Sequence, residues 1–452
     1  MNLPRCSVAA SRLLLPWFVA LSSFSASLAS AADKPRPNLL FVVSDDQRWD
    51  TINALGNPEI RTPTLDALAQ RGTVFSNTYC MGSTMPAVCT PSRTMLMSGR
   101  SLWRIPNPTA KTFDGPSLGS VFRGAGYATL FVGKRGNTFL AGNEAFETVI
   151  YDIDKEHGGR AGSSQFTADK AIAWLRAQKP DKPFCIYLGP PVPHDPRVAP
   201  DEFMKQYDPA KLKLAPNFLP QHPFDNGELR VRDELLAPHP RTPDEMRRHL
   251  AAYYACITCV DHHLGRIVAE LKARGQLENT LIVYTSDHGL AVGGRHGLMG
   301  KQHLYEHNKP PLILAGPGVP QGKKSDALVY LFDLFPTVCD ASGLAVPKPC
   351  EGAMLMPVVR GEKAKVRDWL LGAYRDYQRM VRDERWKLIA YHADGVKNVQ
   401  LFDLANDPDE IKNLAADPKH LEQRSRLEKL LTEARKQFGD PVDFDAPRAK
   451  QP

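Results

Sequence analysis

Several short stretches of this 452-residue chain hold residues whose types suit chemistry. "SDDQRWD" carries the adjacent acids Asp45 and Asp46, and "SDHG" carries Asp287 and His288. Three carboxylates with further oxygen donors suit a hard divalent cation such as calcium or magnesium. His288 adds a softer imidazole nitrogen, which keeps zinc or manganese in view. Taken singly, adjacent acids at a strand end form turns. Two such clusters on separate strands point instead to a shared ligand. Lys134 closes "ATLFVGK", and His194 lies in "PHDP", where an imidazole that titrates near neutrality suits proton transfer. "VCTPSRTMLMSGR" sets Cys89 before Thr-Pro-Ser-Arg. By itself, a free cysteine reads as a small buried hydrophobe.

The elements that must position these residues alternate. "NLLFVVS" at 38–44 is a continuous apolar run ending in acids, which predicts a buried parallel strand. "TPTLDALAQRG" at 62–72 follows as a helix, with Thr62 as N-cap, Pro63 in the first turn and Gly72 as the stop. The same rhythm recurs in "SLGSVFRGAGY" before "ATLFVGK" and in "FTADKAIAWLRAQ" before "PFCIYLG". A long helix opening at "TPDE" (242–245) then precedes "TLIVYTS" (280–286). This predicts an α/β fold, a mostly parallel central sheet flanked by helices, with ligands at the carboxyl edge of the strands. Residues 190–240 break the pattern as a Pro-rich excursion that shapes substrate access. After about residue 360, "WLLGAY", "RWKLIAY" and "VQLFDL" predict a smaller C-terminal α/β lobe with an antiparallel sheet.

Hydrophobic residues at 42% and charged residues at 24% are ordinary for a globular protein. A net charge of +7 suits anionic partners but lacks the dense basic runs of a nucleic-acid binder, so no nucleic acid is expected. Arg5 and Arg12 precede the apolar run "LLLPWFVALSSF", and "ASAAD" supplies small residues for cleavage after Ala31. That run is too short and interrupted to span a membrane. The expectation is an exported protein, periplasmic or secreted, without a stable membrane anchor. Cys339 and Cys350 bracket a short loop and could be bridged in an oxidising compartment. "CITC" at 256–259 falls inside the long helix, so it reads as structural rather than redox-active.

With these pieces in order, "VCTPSRTMLMSGR" resembles the Cys-x-Pro-Ser-Arg segment of the formylglycine-dependent sulfatases of the alkaline phosphatase superfamily. "SDDQRWD", "SDHG", "PHDP", "GKQHLYEH" and "LFDLANDPDEIKNLA" fall in that family's order. The general pattern is similar to iduronate-type members. The resemblance implies an alkaline-phosphatase-like fold; together with the leader and the change of pattern read above, the expected organisation is a signal peptide at 1–31, a catalytic domain at 32–360 and a smaller subdomain at 361–452. It also implies that a formylglycine-generating enzyme converts Cys89 to formylglycine, whose hydrate attacks sulfur. Asp45, Asp46, Asp287, His288 and residue 89 would hold the metal, expected to be Ca2+, with Mg2+ or another divalent cation second. Arg93 would steady the formylglycine, Lys134 and Lys301 would bind sulfate oxygens, and His194 would bind sulfate and protonate the leaving alcohol. His296 and His303 are left as loop histidines open to either role. Where many relatives place a histidine after the Gly-Lys, this chain reads "GKRGN", with Gly136. The expected substrate is a sulfated carbohydrate; a phosphonate or phosphate ester, or non-catalytic binding of sulfated glycan, stands as the alternative.

Overall fold

A computed structural model describes Met1 and residues 36–153, 159–393, 395–444 and 446. Apart from Met1, the expected leader at 1–31 lies outside the described residues. The large sheet contains β1 (Asn38–Ser44), β2 (Gly72–Tyr79), β4 (Ala128–Lys134), β5 (Thr148–Asp152), β6 (Phe184–Gly189), β7 (Thr280–Ser286), β8 (Leu312–Ala315) and β9 (Lys323–Tyr330). They are ordered β5-β4-β6-β1-β7-β8-β2-β9. Only β8 among them runs antiparallel to its neighbours. β1 lies parallel between β6 and β7, with Leu39 opposite Cys185 and Leu281.

The continuous apolar runs are explained by burial on both faces. Leu39, Phe41 and Val43 of β1 join one core cluster, and Leu40 and Val42 join another, as the period of two requires. The second cluster is covered by the helices Pro63–Arg71, Ser163–Ala177 and Pro243–Ala273. The first is covered by Cys89–Ser98, Leu118–Gly124 and Leu334–Ala341, and it continues into the smaller sheet through Leu371, Val381 and Leu388. That sheet orders β13 (Val396–Asp403), β12 (Trp386–Ala393), β11 (Gln378–Arg382), β10 (Leu370–Tyr374) and β3 (Gly82–Ser83). β10 to β13 are antiparallel, while β3 pairs parallel to β10 just ahead of Cys89. The smaller sheet thus seats the approach to the cysteine helix.

Two local expectations are corrected. Thr62 stands at the N-cap of Pro63–Arg71, but its side chain makes no cap bond to that helix. Its hydroxyl accepts from Asn53 N–H, and the free N–H groups of Thr64 and Leu65 donate to the Asp261 carboxylate at 3.1 and 2.7 Å. A distant acid on the long helix therefore caps this one. Cys339 and Cys350 are free thiols rather than a bridge. Cys350 Sγ faces the Gly99 carbonyl at 3.5 Å, while Cys339 is buried within its helix. Cys256 and Cys259 are also free and buried in the long helix, with thiols that burial pushes up to about 12.

Residues 190–240 form the long excursion read from the sequence, with a single short α-helix at Asp201–Met204. Among the described residues, no helix is long and apolar enough to cross a membrane.

Candidate active site

The ends of β1, β4, β6 and β7 converge. Consecutive residues of a strand point to opposite faces, so Asp45 and Asp46 could not both enter one site if β1 simply continued. Instead the chain turns left-handed at Asp46, with φ 70°. Aspartate tolerates this better than most residues. The turn is held from three sides: Asp46 N–H donates to Asp287 Oδ1 at 3.0 Å, Tyr253 O–H donates to the Asp46 carbonyl at 2.6 Å, and Arg48 N–H donates to the same tyrosine at 2.8 Å. At the end of β7, Asp287 N–H donates to the Ser44 carbonyl.

Cys89 is the first residue of the helix Cys89–Ser98, every residue of which is buried. Arg93, four positions on, lies on the same face one turn away, which gives a physical reason for the spacing in "CTPSR". The start of the helix also offers a partial positive charge to an anion forming at residue 89. Ser92 O–H donates to the Asp287 carbonyl at 2.5 Å, fixing the helix to the end of β7. The helix ends at Gly99, φ 67°, where a Cβ would lie 2.7 Å from Cys350 Sγ.

Around Cys89 Sγ stand His288 Nε2 at 3.3 Å, Lys301 Nζ at 3.4 Å, Asp45 Oδ1 at 3.5 Å and Asp46 Oδ1 at 3.7 Å. Lys134 Nζ reaches Asp45 Oδ2 at 2.5 Å, and Arg93 Nε donates to Asp287 Oδ2 at 3.0 Å. Lys301 Nζ reaches both oxygens of Asp46, and His194 Nε2 lies 3.9 Å from Asp46 Oδ2. All nine residues singled out in the sequence are therefore brought together. Burial pushes the Asp45 carboxyl up, but Lys134, His194, Arg93 and Lys301 hold it well below the carboxylate range. Burial opposes the charge of Lys301 too, yet Asp46 foremost keeps its ammonium well above the usual value. Burial raises the Cys89 thiol, outweighing Lys134 and Lys301.

Asp46, Cys89, Asp287 and His288 offer ligand atoms within 4.8 Å of one another, all buried. His288 Nδ1 faces the Gly289 carbonyl at 2.9 Å, so with the proton there Nε2 presents its lone pair to the cluster. Two hard carboxylates, an oriented imidazole and residue 89 fit a divalent cation. A second group, Asp46, His194 and Asp195, shares Asp46 with the first, and its other two members are only partly buried.

A cavity of about 450 Å³ opens beside these groups, lined by Asp45, Lys134, Arg135, Gly136 and His194 among others. His296 and His303 lie outside that lining and are structural. His296 pairs with Glu306 at 2.8 Å and stacks on Tyr305, and His303 lies 3.1 Å from Glu234. Sequence reasoning missed Tyr187, whose hydroxyl lies 3.4 Å from Arg93, and the group Asp195, Arg232, Asp233 and Gln302. Asp195 stood inside "PHDP"; the others carry no local signal.

Solved structures share this alkaline-phosphatase-like fold. One, in complex with its substrate D-glucosamine-2-N,6-O-disulfate, has a TM-score of 0.74 at 23% identity and covers 91% of this chain and 99% of that one. A phosphonate monoester hydrolase from Silicibacter pomeroyi has a TM-score of 0.73 at 25% identity, covering 89% and 96%. The sulfatase family pattern matches residues 37–344, and the C-terminal pattern of N-sulphoglucosamine sulphohydrolase matches 294–437. The chain belongs to the sulfatase family. Its relatives include an N-acetylglucosamine-6-O-sulfatase from Bacteroides thetaiotaomicron, 26% identical over 95% of this chain and 91% of the relative. Arylsulfatase K from Homo sapiens is 28% identical, over 89% and 84%.

Proposed function

We propose that this protein is an exported enzyme that hydrolyses a sulfate ester on a sulfated carbohydrate, with Cys89 converted to formylglycine by a formylglycine-generating enzyme. Asp45, Asp46, Asp287, His288 and residue 89 hold a divalent cation, calcium before magnesium, within a catalytic domain at 32–360. The observation that carries this reading is Cys89 Sγ, 3.3 to 3.7 Å from His288, Asp45 and Asp46 and flanked by Lys301. The name of one relative, an N-acetylglucosamine-6-O-sulfatase, supports the substrate class.

When bound, the cation supplies charge stabilisation at oxygen, and the formylglycine hydrate supplies the hydroxyl that attacks sulfur. The chain's own residues do the rest. Lys134 and Lys301 oppose the negative charge that repels a nucleophile from sulfate, in a buried setting where each interaction is strengthened. Arg93 fixes Asp287 and faces residue 89 from one helical turn away. His194, at the cavity wall, binds sulfate and gives a proton from Nε2 to the departing alcohol oxygen.

The test is hydrolysis of sulfated monosaccharides and an aryl sulfate by protein made together with a formylglycine-generating enzyme. Activity lost in Cys89→Ala supports the reading; no turnover of any sulfate ester overturns it. A phosphonate or phosphate ester is the second reading, favoured by the fold match to a phosphonate monoester hydrolase. Faster turnover of a phenyl phosphonate ester would select it. Binding of sulfated glycan without any turnover would leave a non-catalytic binder, in line with the departure at Gly136.

A further inference from the structure

On the excursion 190–240, Arg232 joins two carboxylates that stand beside two different groups of the site, His194 and Lys301. Its guanidinium grips Asp195 through both terminal nitrogens, one of them at 3.1 Å, and also reaches Asp233. The Arg232 side chain is 58% exposed, whereas Asp195 and Asp233 are 11% and 5% exposed. Asp195 Oδ1 lies 3.3 Å from His194 Nδ1, and that nitrogen faces the Asp195 carbonyl at 2.7 Å. Nε2 is thereby left facing the site. Asp233 accepts from Gln302 Nε2 at 2.7 Å and stands 3.9 Å from Lys301 Nζ.

We infer that Arg232 is a positioning residue for His194, acting through Asp195, and that it serves esters whose leaving alcohol must be protonated. The inference rests on the sulfatase reading above. An imidazole bonded only to its own neighbour's carbonyl moves with its loop, so the loop needs an outside anchor. A two-pronged guanidinium–carboxylate contact is the strong, directional kind. The two ends of the clasp are unequal. Without Arg232, Asp233 keeps Gln302, while Asp195 is left with His194 and Arg197 of its own loop and with Asp46, a carboxylate that repels rather than holds it. Loss of the guanidinium therefore loosens His194 more than Lys301.

The test compares an alkyl sulfate on a sugar with 4-nitrophenyl sulfate, whose phenolate departs without a proton. Arg232→Ala is expected to lower kcat on the sugar sulfate by ~10²-fold, the size of a lost general acid, and kcat on the aryl sulfate far less; any rise in KM, from the sulfate contact of His194, should be the same for both esters. Arg232→Lys, which keeps the charge but not the fork, should recover part of the loss. Equal losses on both esters, or none on either, overturn the inference. If Arg232→Ala fails to fold, Asp195→Asn must show the same leaving-group selectivity, and a uniform effect there overturns it equally. A wild-type protein inactive on both esters overturns the sulfatase reading, and this inference with it. An active wild type whose variants show no selectivity overturns this inference alone.

Discussion

Lys301 Nζ stands 3.0 and 3.1 Å from the two carboxylate oxygens of Asp46, across 255 residues of sequence. The contact draws the segment after β7 over the turn that ends β1, and it aims the same ammonium at Cys89 Sγ, 3.4 Å away. One lysine thus neutralises a buried acid and charges the space where a sulfate would sit. Asp46→Asn keeps a residue that tolerates the left-handed turn but removes the charge. We expect bound metal, measured by elemental analysis, to be lost and aryl sulfate turnover to fall by ~10²-fold or more. Full activity after metal stripping would refute the assignment.

Cys89 is 1% exposed in the folded protein. A modifying enzyme must reach the thiol before the helix packs, so conversion should occur on the nascent or unfolded chain. Peptide mass spectrometry is expected to find the aldehyde after co-expression, and unchanged cysteine after the purified, folded, unmodified protein meets the same enzyme. Only cysteine in both preparations would sink the formylglycine reading.

Gly136 lies on the cavity wall, and a Cβ built there meets nothing within 4 Å. A side chain can therefore start there without its Cβ displacing a neighbour. If the missing base slows only sulfate release, alcohol should appear in a fast burst followed by a slower steady state. Gly136→His should then raise the steady rate by ~10²-fold. A linear time course from the first turnover, with no gain in the variant, would show that another group already supplies the base.

Burial holds His222 neutral, lowering its pKa from 6.5 to about 3. The unfolded chain takes up this proton below pH 6.5 while the folded chain resists it. The contribution to stability is therefore complete above pH 6.5 and is lost as pH falls toward 3, by roughly 5 kcal/mol at most. Buried His263, lowered to about 4, acts in the same direction. Urea unfolding at pH 7.5 and pH 5 should show the decline, and His222→Gln should flatten it. An equal slope in that variant would remove His222 as the cause.

The apolar runs of β1, β4, β6 and β7 could be read because a strand buried on both faces is hydrophobic at nearly every position, a local property. The polar residues closing those runs then had to share one edge of a parallel sheet. This made Asp45, Asp46, Lys134 and Asp287 legible, whereas Arg93 was reached through family resemblance and its place one turn from Cys89 was given by the helix. Lys301 was reachable only through family resemblance, since no element boundary marks it.

The sequence by itself determined which residues arrive at the edge; the tertiary structure alone decided how they pair. The 2.5 Å contact between Lys134 and Asp45 depends on β4 and β1 being separated by β6, an order that no single segment encodes. Asp261 caps a helix almost two hundred residues earlier because the long helix packs there, overriding the local signal at Thr62. Likewise, β3 joins the smaller sheet through two residues, too short for any periodicity. Arg232 sits in a stretch with no repeat at all, and its grip on Asp195 and Asp233 exists only once the excursion folds back across the strand ends. Periodicity and caps are properties of neighbours in sequence, whereas ion pairs and sheet order are set by long-range packing that brings distant side chains within bonding distance.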